Sequence, residues 1–125
     1  MLINLSNHPS SAWPENQMKA ACELFSRVTD LPFPQIEPGI ARAEMEQLVL
    51  SYGNQCLQKL ADAGPGNHAV HLMGEMVFTT ALVAWLLRRN VRCVASATRR
   101  ITRTNGNEQI SVFEFAGFRD YFIFY

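Results

Sequence analysis

Residues 70–79 read Val-His-Leu-Met-Gly-Glu-Met-Val-Phe-Thr. An apolar run reaches a glycine, a carboxylate follows, and an apolar helix begins. A strand that hands over to a helix in this way is the repeating unit of an α/β fold. Residues 3–9, Ile-Asn-Leu-Ser-Asn-His-Pro, make the same passage from an apolar stretch into a polar turn. Just upstream of the first stretch, Gly64-Pro65-Gly66-Asn67 is a firm stop, and His68–Met73 reads as a buried strand. Downstream, Phe78–Arg89 reads as a helix that presents Phe78, Leu82, Trp85 and Leu86 on one face and ends at Asn90.

The pattern extends both ways. Met1–Leu5 is a first strand and Ser6–Ala12 a polar turn. Trp13-Pro14-Glu15 starts a helix, with proline at the first helical position and an acid in the first turn. Met18, Ala21, Cys22, Phe25 and Val28 then follow at helical spacing. Thr29–Phe33 reads as a second strand that stops at Pro34, and Pro38-Gly39 mark a loop. Ile40–Asp62 is the clearest helix: Ala41, Met45, Leu48, Val49, Tyr52, Cys56 and Leu60 share a stripe, slightly weakened by Gly53. Val91–Ala97 is a fourth strand, of the continuous apolar kind used in parallel sheets. Arg100–Thr104 and Gln109–Phe115 flank an Asn105-Gly106 turn, a strong hairpin signal. This order predicts one domain over residues 1–125: a three-layer, Rossmann-like α/β fold with a mostly parallel sheet and a C-terminal β-hairpin.

The 125 residues are 48% hydrophobic, enough to close one core. Net charge is zero, so the molecule has no general attraction to nucleic acid and no DNA partner is expected. The charge is uneven along the chain: residues 1–62 carry 4 basic and 7 acidic side chains, and residues 63–125 carry 7 and 4. All seven basic residues of the second half are arginine, the better fork for phosphate. Cys22, Cys56 and Cys93 each sit in an apolar pattern without a C-x-x-C pair, which predicts buried free thiols in a reducing cytoplasm. No signal-peptide pattern and no apolar run of membrane-spanning length is visible, so no membrane partner is expected.

In such folds ligands bind beyond the carboxyl ends of the strands. Three turns are expected there. The first holds Ser6, Asn7 and His8, where hydroxyl and amide groups can bond a ligand and an imidazole can move a proton. The same residues also suit a tight turn locked by side-chain hydrogen bonds, with Pro9 setting its path. The second turn holds Gly74, Glu75 and Met76, where glycine permits close approach and Glu75 can accept from a ribose or base, or simply serve the helix start. Thr79, one helical turn on, is expected to share that pocket. The third follows strand four with Ser96, Thr98, Arg99 and Arg100, hydroxyls and guanidinium groups that suit phosphate oxygens. His68 and His71 lie three apart on a strand, face opposite ways, and are assigned core or edge roles. The chain has no Walker A loop, no G-x-G-x-x-G fingerprint, no H-E-x-x-H, no zinc spacing and no G-x-S-x-G elbow. Neither a metal nor a cofactor is expected.

Three stretches together, Ile3-Asn4-Leu5-Ser6-Asn7-His8-Pro9, the segment Ala69–Val83 and Cys93–Ile101, resemble small stand-alone proteins of type III CRISPR systems. Those are related to the CRISPR-associated Rossmann-fold domain and include ring nucleases. The resemblance implies a cytoplasmic homodimer, or a higher assembly, whose two-fold axis passes through a pocket for cyclic oligoadenylate. It implies metal-free cleavage in which a ribose 2′-hydroxyl attacks the neighbouring phosphate. On that reading His8, Arg99 and Arg100 carry proton transfer and charge stabilisation. Ser6, Asn7, Gly74, Glu75, Met76, Thr79, Ser96 and Thr98 hold the ligand. Two alternatives stand beside it: a sensor or sponge that binds without cleaving, and an obligate interaction subunit. The latter draws on seven aromatics among residues 113–125.

Overall fold

A computed structural model of the chain describes residues 1–125. Its elements are β1 (Leu2–Ser6), a short 3-10 turn (Ser10–Ala12), α1 (Glu15–Phe25), β2 (Val28–Asp30), α2 (Arg42–Ala63), β3 (Ala69–Met73), α3 (Met76–Leu87), β4 (Cys93–Asn105) and β5 (Glu108–Asp120). They build one five-stranded sheet in the order β2-β1-β3-β4-β5. The first three pairings are parallel and β4–β5 is antiparallel, so the fold is the Rossmann-like α/β sheet expected from the alternation.

Strand alternation sorts the side chains into two layers. Ile3, Leu5, Val70, Leu72 and Cys93 face α2 and α3, in a cluster of 13 buried residues that includes Cys56, Phe78, Leu82 and Leu86. Leu2, Ala69 and Val94 face α1, with Ala21 and Phe25, in a cluster of only 5. The thinner layer is where the strands place polar side chains instead: Asn4 and Ser6 from β1, His71 from β3 and Ser96 from β4 continue the α1-facing rows. On the thicker side Gly53 is buried in α2 because the helix packs on the Trp85 ring; a Cβ there would fall 2.6 Å from a ring carbon. Its absent side chain therefore serves the α2–α3 contact, over and above the small cost to helix propensity.

Four features depart from the sequence reading. β2 is three residues long and starts at Val28, because Pro32 and Pro34 offer no ladder N–H beyond it. α3 starts at Met76 instead of Phe78, since Glu75 caps it. Cys22 is exposed, unlike buried Cys56 and Cys93, whose thiols burial pushes up to about 12. The largest correction concerns strand four. No turn follows Ala97: β4 runs unbroken through Ser96, Thr98, Arg99 and Arg100 to Asn105. β5 pairs with it from Asn105↔Glu108 to Val94↔Asp120, which also draws the start of the aromatic tail into the sheet. A register shift at Ala97/Thr98, opposite Gly117 at φ 135°, absorbs the bend. Beyond it the two strands leave the body as an exposed arm on the order of 25 Å long.

Candidate functional site

The polar side chains of the α1-facing layer meet at the carboxyl edge, between β1 and β3. That is where the connections diverge, β1 leading by α1 to β2 on one side and β3 leading by α3 to β4 on the other. Asn4 is the hub. Its amide nitrogen donates to the His8 carbonyl at 2.9 Å and to Asp30 Oδ1 at 2.8 Å, two groups that only accept. The amide oxygen is thereby fixed as an acceptor, and it takes the Ser6 hydroxyl at 2.8 Å and His71 Nδ1–H at 2.9 Å. With its proton on Nδ1, neutral His71 leaves Nε2 bare, and the Ser96 hydroxyl donates to it at 2.7 Å. Ser96 Oγ in turn accepts from Gln17 Nε2 of α1 at 3.0 Å. A continuous chain thus runs Asp30–Asn4–His71–Ser96–Gln17 across five elements.

Burial tunes these groups. His71 is 2% exposed, set edge-on to Trp13 and Phe118, and burial brings its pKa down to about 4. It is a neutral base at physiological pH. Burial also works to raise the Asp30 carboxyl, but hydrogen bonds from Ser10 and Asn4 outweigh it and hold the group below its ordinary value. The network opens on a cleft of about 330 Å³ lined by Ser6, His8, Trp13, His71, Ser96 and Thr98 among others. Its floor offers hydroxyls and a neutral imidazole, and its wall an indole whose N–H donates to the His8 carbonyl. Such a site can hold a polar ligand with a flat ring and receive a proton.

A family model described as "Uncharacterized protein MJ1673 family" matches residues 1–119. The chain belongs to the MJ1673 family. No curated protein and no solved structure matches it. The matched span of this MJ1673-family chain takes in every residue of the cleft.

The sequence-predicted residues divide into three groups. Ser6, His8, Ser96 and Thr98 come together in the cleft. Asn7 is exposed in the adjoining loop, and its backbone N–H donates to the Met73 carbonyl at 3.2 Å. Arg99 and Arg100 lie farther out on β4, on opposite faces by strand alternation, outside the cleft lining. Arg100 shares the face of Ser96 and Thr98 and donates to Ser111 Oγ at 3.0 Å and 3.2 Å.

The Gly74-Glu75-Met76 turn is a separate place. Both Glu75 carboxylate oxygens accept helix N–H groups, from Val77 at 2.7 Å and from Phe78 at 3.1 Å, so the carboxylate is the α3 cap. Glu75 borders a groove against Ile36 and Met45. Thr79, expected beside it, instead faces a second cavity of about 460 Å³ with Gly74, Met76, Val83 and Tyr121. That cavity is mainly apolar, and the Thr79 hydroxyl finds no partner in it. Gly74 serves packing: a Cβ there would lie 2.3 Å from the Phe33 ring, which itself packs edge-on against Phe78. Gly74→Ala is expected to destabilise the fold by about 1–3 kcal/mol through displaced Phe33, measured by urea unfolding. A change under about 0.5 kcal/mol would show that Phe33 yields freely.

Asn4, Gln17 and Asp30 have no place among the sequence-predicted site residues, and His71 is assigned there only a core or edge role. One signal was available: polar residues at alternate positions of strands otherwise apolar enough to be buried. Asn4 and Ser6 in β1 and His71 in β3 carry it, and they land on one face once the register is known.

Proposed function

We propose that this protein is a cytoplasmic homodimer that binds cyclic oligoadenylate over the carboxyl edge of its sheet and cleaves it without a metal, by 2′-hydroxyl attack on the adjacent phosphate. The observation that carries the reading is the polar cleft at the β1/β3 divergence, lined by Ser6, His8, His71, Ser96 and Thr98. At about 330 Å³ it suits one nucleotide unit, not a whole ring. A second copy related by a two-fold axis supplies the other half of a cyclic ligand's contacts. Exposed Met76, Val77, Phe122 and Phe124 near that edge give a protomer apolar surface for such pairing. The resemblance to stand-alone ring nucleases in the Ile3–Pro9, Ala69–Val83 and Cys93–Ile101 stretches supports the same ligand.

One observation favours a second reading, a sponge that binds without turnover. None of the 10 residues lining the cleft is Lys or Arg, so a phosphorane-like charge would rely on hydroxyl donors and on Arg100 reaching in along β4. Incubation with cyclic tetra- and hexa-adenylate in EDTA, followed by chromatography, separates the two. Linear products with 2′,3′-cyclic phosphate ends over many turnovers are the expected result. Tight binding with unchanged ligand favours the sponge, and neither binding nor cleavage overturns both.

A further inference from the structure

The Ser96–His71 pair has the geometry of an activated hydroxyl. Ser96 Oγ lies 2.7 Å from His71 Nε2, and His71 Nδ1 lies 2.9 Å from Asn4 Oδ1. Asn4 is in turn held by Asp30 at 2.8 Å. A hydroxyl bonded to a base, with the base oriented by a third group, is the arrangement that nucleophilic and proton-transfer sites share. Two features give it direction. Gln17 donates to Ser96 Oγ, so the serine proton is left pointing at His71. Asn4 Oδ1 keeps the His71 proton on Nδ1, so Nε2 is free to receive another. His71 is nearly buried at the cleft floor, behind Trp13 and Phe118, and Ser96 is the more open member of the pair, beside Ser6 and Thr98.

We propose that Ser96 is a catalytic residue of this cleft, relaying the proton of the attacking hydroxyl to His71. The proposal rests on the reading of the cleft as a cyclic oligoadenylate site. In the step, the ribose 2′-oxygen forms a bond to the adjacent phosphorus and the bond from phosphorus to the 5′-oxygen breaks. The 2′-proton passes to Ser96 Oγ as the Ser96 proton passes to His71 Nε2. The departing 5′-oxygen takes a proton from the His8 side chain, which lies in the same cleft. The products are a 2′,3′-cyclic phosphate and a 5′-hydroxyl; His71 gives its proton back through Ser96 Oγ to the cleft, where His8 regains one. His71, which touches no substrate, is the positioning residue behind Ser96.

The test is single-turnover cleavage of cyclic tetra-adenylate by the full chain, with affinity measured on the same samples by calorimetry. Ser96→Ala is expected to slow cleavage by about 100-fold or more while changing Kd by less than about 3-fold. Ser96→Thr, which keeps a hydroxyl, is expected to recover to within about 10-fold of wild type. His71→Gln is expected to match Ser96→Ala, and the double variant to be no slower than either, because the pair acts as one unit. Should His71→Gln fail to fold, the two Ser96 variants decide. Wild-type cleavage with Ser96→Ala within about 3-fold of it overturns the relay and leaves the nuclease reading standing. Equal loss of rate and affinity makes Ser96 a binding group and also overturns the relay. Wild-type protein that binds but does not cleave overturns both together.

Discussion

Lowering the pH from 7 to 4 should destabilise this fold by about 3 kcal/mol through His71 alone. The His71 pKa moves from 6.5 in the unfolded chain to about 4 in the folded one, and each unit of difference is worth about 1.4 kcal/mol. The direction follows from proton counting. Between these two values the unfolded chain binds the proton and the folded chain does not. Stability is therefore full above pH 6.5, falls as pH drops through the interval, and levels off below about 4. The Asp30 carboxyl, held below its ordinary 3.8, adds a separate loss that sets in only near the lower end of this interval and continues below it. Urea unfolding at half-unit pH steps reads this directly. The slope between pH 6.5 and 4 should be largely absent in His71→Gln, whatever that variant's stability at pH 7. A wild-type slope that persists unchanged in the variant would place the titrating group elsewhere.

The second large effect is at Asn4. Asn4→Ala removes both donors and the acceptor that join β1, β2 and β3 on the α1 side. Several losses are cushioned: the His8 carbonyl keeps Trp13 and can take the Ser6 hydroxyl released from Asn4, and Asp30 keeps Ser10. His71 Nδ1–H is not cushioned, because in the folded chain its one partner is Asn4. A buried donor left alone costs about 1–3 kcal/mol, and the lost hydrogen bonds add roughly 1 each where nothing replaces them. The expected total is about 3 kcal/mol or more in urea unfolding. Asn7→Ala, three residues on and exposed, should cost under about 0.5 kcal/mol. Similar values for the two variants would mean that the network carries little of the stability. Because Asn4 also orients His71, its loss should weaken any chemistry that runs through Ser96.

These two expectations concern residues whose importance lies in their partners. Asn4 and His71 are 67 residues apart in sequence, and Gln17 and Ser96 are 79 apart. No local pattern links them. The Ser6-Asn7-His8 turn, by contrast, lay in plain view in Ile3–Pro9, because a polar cluster after a short apolar strand is a local signal. Glu75 was equally visible, and two local readings competed for it. The 2.7 Å and 3.1 Å hydrogen bonds to the α3 amides give it to the helix cap.

What the sequence determined by itself is the alternation of strands and helices, the long α2 stripe, the Asn105-Gly106 hairpin turn and the carboxyl-edge position of the first two polar turns. Each follows from spacing or turn chemistry within a few residues. Tertiary structure alone decided the order β2-β1-β3-β4-β5, the unbroken course of β4 along β5, the exposure of Cys22 and the gathering of Asn4, His71 and Ser96 beneath α1. Those depend on which distant segments pair and which face is covered. The free energy of burying a polar group is set by partners that the flanking residues do not name.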